Sequence, residues 1–132
     1  MINPNQKITP FLMFDGKAEE AMNFYISIFD NAKIESLVHQ KNGDVMHATF
    51  TLNGQNFMAI DNSGGEDIPF TAAMSMFVTC ETEEEIDAIF ESLVRDGKIL
   101  MDLAVTPFSL KFGWVDDKYG VSWQLSLEQS TD

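Results

Sequence analysis

The chain has 132 residues, 45% of them hydrophobic and 11 of them Phe, enough apolar side chain for one packed core and too much for a disordered segment. A formal net charge of −13, from 21 acidic against 8 basic residues, argues against nucleic acid, whose binding needs a basic patch to displace counterions. No apolar run reaches the roughly 20 residues that cross a bilayer, the polar stretch Met1 to Lys7 lacks a signal-peptide pattern, and the single Cys80 rules out an internal disulfide framework, so a cytoplasmic location and no membrane partner are expected.

Residues 8–14, Ile-Thr-Pro-Phe-Leu-Met-Phe, read as a strand. Asp15 can cap a following helix, with Glu19 and Glu20 favourably placed near its first turn. Ala18, Ala21, Met22, Tyr25, Ile28 and Phe29 recur at helical spacing, and Asn31 ends the run. A strand through Ile34 and Val38 leads to Asn42-Gly43, which reads as a two-residue hairpin turn setting residue 39 opposite residue 46. From Val45 to Leu52 the pattern alternates: Met46, Ala48, Phe50 and Leu52 on one face, His47, Thr49 and Thr51 on the other. Asn53-Gly54 makes a second hairpin into the strand 57–60.

Residues 62–71 form a turn-rich linker containing Gly64-Gly65, and the order then repeats. Met74 to Cys80 is a strand. Thr82 and Glu85 form a capping box, Ile86, Ile89, Phe90, Leu93 and Val94 make a helical stripe, and Gly97 is the expected C-terminal cap. Strands follow at 99–105, 110–115 and 121–127, the last two joined by Asp117-Lys118-Tyr119-Gly120. The chain is thus expected to be a single α+β domain of two βαβββ modules, about 8–61 and 73–127. Each helix covers one sheet face, which leaves the other free to form a cup.

Two stretches carry a family resemblance. Residues 8–16 followed by Ala18-Glu19-Glu20-Ala21 and Phe24-Tyr25 resemble the opening of PhnB-like proteins. Lys111-Phe112-Gly113-Trp114 with Asp117-Lys118-Tyr119-Gly120-Val121-Ser122-Trp123-Gln124-Leu125 resembles their closing motif. PhnB-like proteins belong to the vicinal oxygen chelate superfamily, with glyoxalase I and the bleomycin and fosfomycin resistance proteins. The resemblance implies paired βαβββ modules forming a cup-shaped mixed sheet, and a homodimer. Members are commonly labelled as a 3-demethylubiquinone methyltransferase domain. A methyltransferase of the usual α/β kind needs a glycine-rich turn after a parallel strand, and no two glycines here make a G-x-G.

The resemblance further implies a divalent cation, in the metal-dependent members, held by His and Glu on four cup-facing strands. The matching positions are Thr9 or Pro10, Met58 or Ala59, Ser75, and Gln124, so neither metal nor other cofactor is expected. With the two-residue turn at Asn42-Gly43, His39 and His47, which flank it, point to opposite faces; a longer loop would change that register. Cys80 sits beside Glu81 and Glu83, whose charge disfavours a thiolate, and alternates with Met74, Met76 and Val78 as a core residue. Lys111 is read as solvated. The expected ligand-binding set is Phe11, Met13, His47, Thr49, Ala59, Phe77, Thr79, Ser122 and Gln124, with Trp123 in the core.

The leading expectation is a metal-free module that binds a small, partly aromatic ligand. A rival is a metal-dependent lyase, isomerase or dioxygenase on a small oxygenated substrate, which requires ligands elsewhere, such as His47 with Asp61 or a residue of a partner chain. A third is a cup filled by its own Phe and Met side chains.

Overall fold

The protein is described from a computed structural model covering residues 5–128, so the first four residues of the polar N-terminal stretch lie outside the described residues. The chain divides into two compact units between Ile68 and Pro69, inside the linker. The first contains β1 (Phe11–Phe14), α1 (Ala18–Ile28), β2 (Lys33–His39), β3 (Val45–Leu52) and β4 (Gln55–Asp61). The second contains β5 (Ser75–Cys80), α2 (Glu83–Val94), β6 (Lys98–Thr106), β7 (Ser109–Asp116) and β8 (Ser122–Leu127). Each is a βαβββ module with its own four-stranded mixed sheet, ordered β1-β4-β3-β2 and β5-β8-β7-β6. In both, the strand before the helix runs parallel to the last strand, and the remaining pairs are antiparallel.

One face of the first sheet packs under α1. Leu12, Phe14, Ala48, Phe50 and Ala59 are buried there against Ala18, Ala21, Met22 and Tyr25, each large side chain contributing about 1.5–3 kcal/mol on burial. Phe50 stacks on Phe57 with centroids 5.3 Å apart. Asn53 and Gly54 both have positive φ, 51° and 79°, which makes the expected primed two-residue turn and pairs Leu52 with Gln55.

The other hairpin differs from expectation. Gln40 N–H bonds the Asp44 carbonyl and Gly43 N–H bonds the Gln40 carbonyl, so the loop has a third residue, with Gly43 in the left-handed region. His39 therefore pairs with Val45, not with residue 46. A register shift between Val38 and His39 turns Met46 outward, where it is 53% exposed instead of buried with Ala48.

Asp15 does not cap α1, because Lys17 is the N-cap and offers no side-chain bond. The cap comes from across the module. Asp61, buried at the end of β4, accepts from Ala18 N–H at 2.9 Å through Oδ1 and from Val45 N–H at 2.8 Å through Oδ2. One carboxylate thus ties the helix start to two strands.

In the second module, Ile86, Ile89, Phe90 and Leu93 of α2 cover Val115, Trp123, Leu125 and Cys80. Thr82 caps the helix as expected, with Glu85 N–H bonding Thr82 Oγ1 at 3.1 Å, while the Glu85 carboxylate reaches one residue beyond the N-cap and accepts from Glu81 N–H at 2.7 Å. At the other end Asp96, not Gly97, takes the left-handed conformation, φ 60°. Gly97 is needed for a different reason: a Cβ there would collide with the Asp116 backbone carbonyl oxygen. One border strand of each sheet, β2 and β6, pairs irregularly, with register shifts at two places in β2 and three in β6, whereas the opposite border strands β1 and β5 and the inner pairs β3–β4 and β7–β8 pair without interruption.

Candidate functional site

The helix-free face of the second sheet concentrates side chains with chemistry. Register partners share a face, so three rows cross it from β5 to β6. One runs Ser75, Ser122, Asp116, Lys98; the next Phe77, Gln124, Trp114, Met101; the third Thr79, Ser126, Phe112, Ala104. The polar members are cross-linked. Gln124 Nε2 donates to Ser75 Oγ at 2.9 Å, Trp114 Nε1 donates to Ser122 Oγ at 2.8 Å, and Ser126 Oγ lies 2.8 Å from Ser109 Oγ. Phe77 and Met101 are about half exposed. Phe112 is buried on this face with its ring edge towards Phe108, centroids 6.0 Å apart, and does not pack under α2.

The order of this face depends on the turn 117–120. Asp117 is buried; its Oδ1 accepts from the N–H groups of Tyr119 and Val121 at 2.8 and 3.1 Å, and its Oδ2 from Trp123 Nε1 at 2.9 Å. Because Trp123 faces α2, this anchor fixes the phase of β8 and aims Ser122 and Gln124 to the helix-free side. The role of Asp117 was readable only as a turn position; the indole partner lies across the turn and left no local signal.

The helix-free face of the first sheet is more apolar. Phe11, Met58, Thr49 and Ser36 form one row, and Ser36 Oγ lies 2.8 Å from Thr49 Oγ1. Met13 pairs with Ile60, and His47 with Val38. Phe11 is 51% exposed and His47 half-buried. Ala59 is not on this face. It pairs with Ala48 and Leu12 and is fully buried beneath α1, and Met58 and Ile60 occupy the helix-free positions of β4. The apolar run 57–60 suits both faces and carries no phase of its own, but counting across the Asn53-Gly54 turn puts residue 59 opposite residue 48.

The candidate metal donors do not assemble. Among the described residues no three His, Cys, Asp or Glu side chains come together as a cation-holding group. His39 reaches back to α1, with Nε2 2.6 Å from Glu19 Oε1, while His47 lies on the helix-free face. Asp61 cannot join His47: it lies on the covered face with both oxygens engaged. Gln124, which the resemblance sets at the position of the superfamily's closing Glu, donates to the hydroxyl of Ser75, itself at an expected ligand position. A neutral amide and a neutral hydroxyl are weak donors and do not fit the divalent cation of metal-dependent relatives.

Two other reactive groups are structural. Burial, and then the Glu85 carboxylate, push the Cys80 thiol up to about 12. Lys111 is not free in solvent: its Nζ lies 2.7 Å from Asp87 Oδ1 and 3.9 Å from Glu83 Oε2 on α2, and the Asp87 hydrogen bond raises its pKa.

Several solved structures share this architecture. A PhnB protein from Bacillus cereus is 61% identical, with a TM-score of 0.90, covering 92% of this chain and 99% of its own. A glyoxylase/bleomycin resistance protein/dioxygenase domain from Frankia sp. EAN1pec is 15% identical over 96% of this chain and 100% of its own, TM-score 0.70. A mutant of the fosfomycin resistance protein FosX from Listeria monocytogenes, complexed with Mn(II) and 1S,2S-dihydroxypropylphosphonic acid, is 10% identical over 96% and 95%, TM-score 0.68. No curated protein matches the chain. The profile of one family matches residues 6–126. With that match and the close likeness to the Bacillus cereus protein, the chain belongs to the family described as 3-demethylubiquinone-9 3-methyltransferase, the PhnB branch of the glyoxalase/bleomycin resistance fold.

Proposed function

We propose that this protein is a small-molecule binding module that works without a metal ion and uses the helix-free face of its second sheet. The observation that carries the proposal is the Gln124–Ser75 hydrogen bond. It joins two neutral groups, an amide and a hydroxyl, at positions that the family resemblance assigns to the ligands of a cation, and neither is a strong metal donor. Phe77, Thr79 and Ser122 flank that pair on the same face. Phe11, Met13, His47 and Thr49 give the first module a second, more apolar surface. The FosX complex supports small-ligand binding on this fold, and the donors of this chain do not support its metal. Methyl transfer of the usual α/β kind is unsupported, since the βαβββ order has no glycine-rich turn between a parallel strand and a helix. In this proposal the protein is a cytoplasmic homodimer.

Thermal-shift measurements with planar aromatic ligands test the reading. A ligand at 100 times its Kd adds about 2.7 kcal/mol, a rise of roughly 5–10 °C for a domain of this size, and it is expected to persist in EDTA. Stabilisation that vanishes in EDTA and returns with Mn, Zn, Ni or Fe would select the metal-dependent enzyme instead.

A further inference from the structure

We infer that the row Phe77–Gln124–Trp114–Met101 is a stacking platform for a neutral, planar ligand and that it discriminates against anions; this rests on the binding reading above and names the ligand class. The row follows from register: one residue from each strand of the second sheet, all on the helix-free face. At about 4.8 Å between strands, Phe77 and Trp114 stand about 10 Å apart with the Gln124 amide between them, the span of a two- or three-ring aromatic. Met101 extends the surface with a polarizable thioether.

The row carries no formal charge, and its polar groups are partly engaged by their neighbours. The indole N–H, the sole donor of Trp114, is committed to Ser122, so its ring is left as π surface. One Gln124 donor is committed to Ser75, which fixes the amide plane while its carbonyl oxygen keeps the capacity to accept. A ligand thus meets two aromatic rings and an oriented amide.

Charge supplies the discrimination. The second module's basic residues are Arg95, Lys98, Lys111 and Lys118. Arg95 caps α2, Lys118 lies in the turn 117–120, and Lys111 is held by Asp87 towards α2. Lys98 alone shares the helix-free face, at its outer strand and in register with Asp116, which adds a negative charge to the row beside the platform. A carboxylate or phosphonate docked on the row would lose its water without gaining a cationic partner, on a chain that already carries −13.

A matched trio of probes tests this: 2-naphthamide, its anionic isostere 2-naphthoate, and the non-planar cyclohexanecarboxamide, each titrated into the full chain and followed by two-dimensional amide and indole NMR. The Trp114 indole and Phe77 amide signals are expected to move with 2-naphthamide while the buried Trp123 indole stays still as internal reference, and 2-naphthoate is expected to bind about tenfold more weakly or worse. Gln124→Glu, which adds a charge at near-constant shape, is expected to weaken 2-naphthoate further. Equal or tighter binding of 2-naphthoate or of cyclohexanecarboxamide at these signals overturns the neutral planar assignment and leaves the binding-module reading in place. No movement of Phe77, Gln124 or Trp114 with any of the three at millimolar concentration overturns both.

Discussion

Replacing Asp61 with Ala separates a structural carboxylate from a catalytic one. In the native fold its two oxygens satisfy Ala18 N–H at 2.9 Å and Val45 N–H at 2.8 Å in a buried position. Removing the side chain leaves two buried backbone donors without acceptors, at about 1–3 kcal/mol each. It also removes the negative charge from the start of α1, worth about 0.3–1 kcal/mol. Relief from burying a carboxylate offsets part of this, so the net loss is expected near 3 kcal/mol, a large share of the roughly 5–15 kcal/mol typical of a domain. Urea unfolding followed by far-UV circular dichroism measures it as a lower midpoint at unchanged slope. Asn at this position keeps one acceptor but turns its NH2 towards the other N–H, so Asp61→Asn is expected to recover only part of the loss. A change below 1 kcal/mol for Asp61→Ala would refute the argument, showing that water or a rearranged neighbour takes over both bonds.

Gly97→Ala is expected to destabilise more than an ordinary loop substitution, by about 2 kcal/mol or more, because the new Cβ meets the Asp116 backbone and not the movable end of a side chain; thermal unfolding reads this as a lower Tm. Cys80 is expected to resist thiol reagents at pH 8, where a thiol at about 12 is ionised to on the order of one part in ten thousand, so labelling should accelerate in step with denaturant-induced unfolding. The native fold favours the protonated thiol over the ordinary value of 9.0. Its contribution to stability is therefore complete below pH 9 and declines as pH climbs towards 12, which alkaline unfolding of a Cys80→Ala variant can isolate.

Much of the architecture is legible from period and punctuation. Thr82 and Glu85 announce α2, Asn53-Gly54 sets a turn whose type follows from its residues, and the repeated element order gives the two modules. Alternation also assigns Phe11, Met13, His47, Thr49, Phe77, Thr79, Ser122 and Gln124 to the helix-free faces, where they lie. It fails where the chain departs from period two or has no contrast to read. The shift between Val38 and His39 turns Met46 outward, and a bulge leaves no mark in composition. Ala59 sits in a run apolar on both sides, so its direction is inherited from β3. The partners of Asp61 and Asp117 are decided by tertiary approach: a carboxylate at a strand end looks like a turn former until Ala18, Val45 or an indole arrives beside it.

The irregular pairing of β2 and β6 has a consequence for how the protein behaves in a crowded solution. An uninterrupted strand at the border of a sheet offers a straight row of amide groups onto which a foreign strand can zip. Here the borders formed by β2 and β6 are stepped, and these two strands also carry Lys33, Glu35, Lys98 and Asp102. A would-be neighbour at either of these two borders loses register within a few residues and meets charge, so β2 and β6 can leave Val38, Ile99 and Met101 in water without recruiting misfolded copies of the chain there.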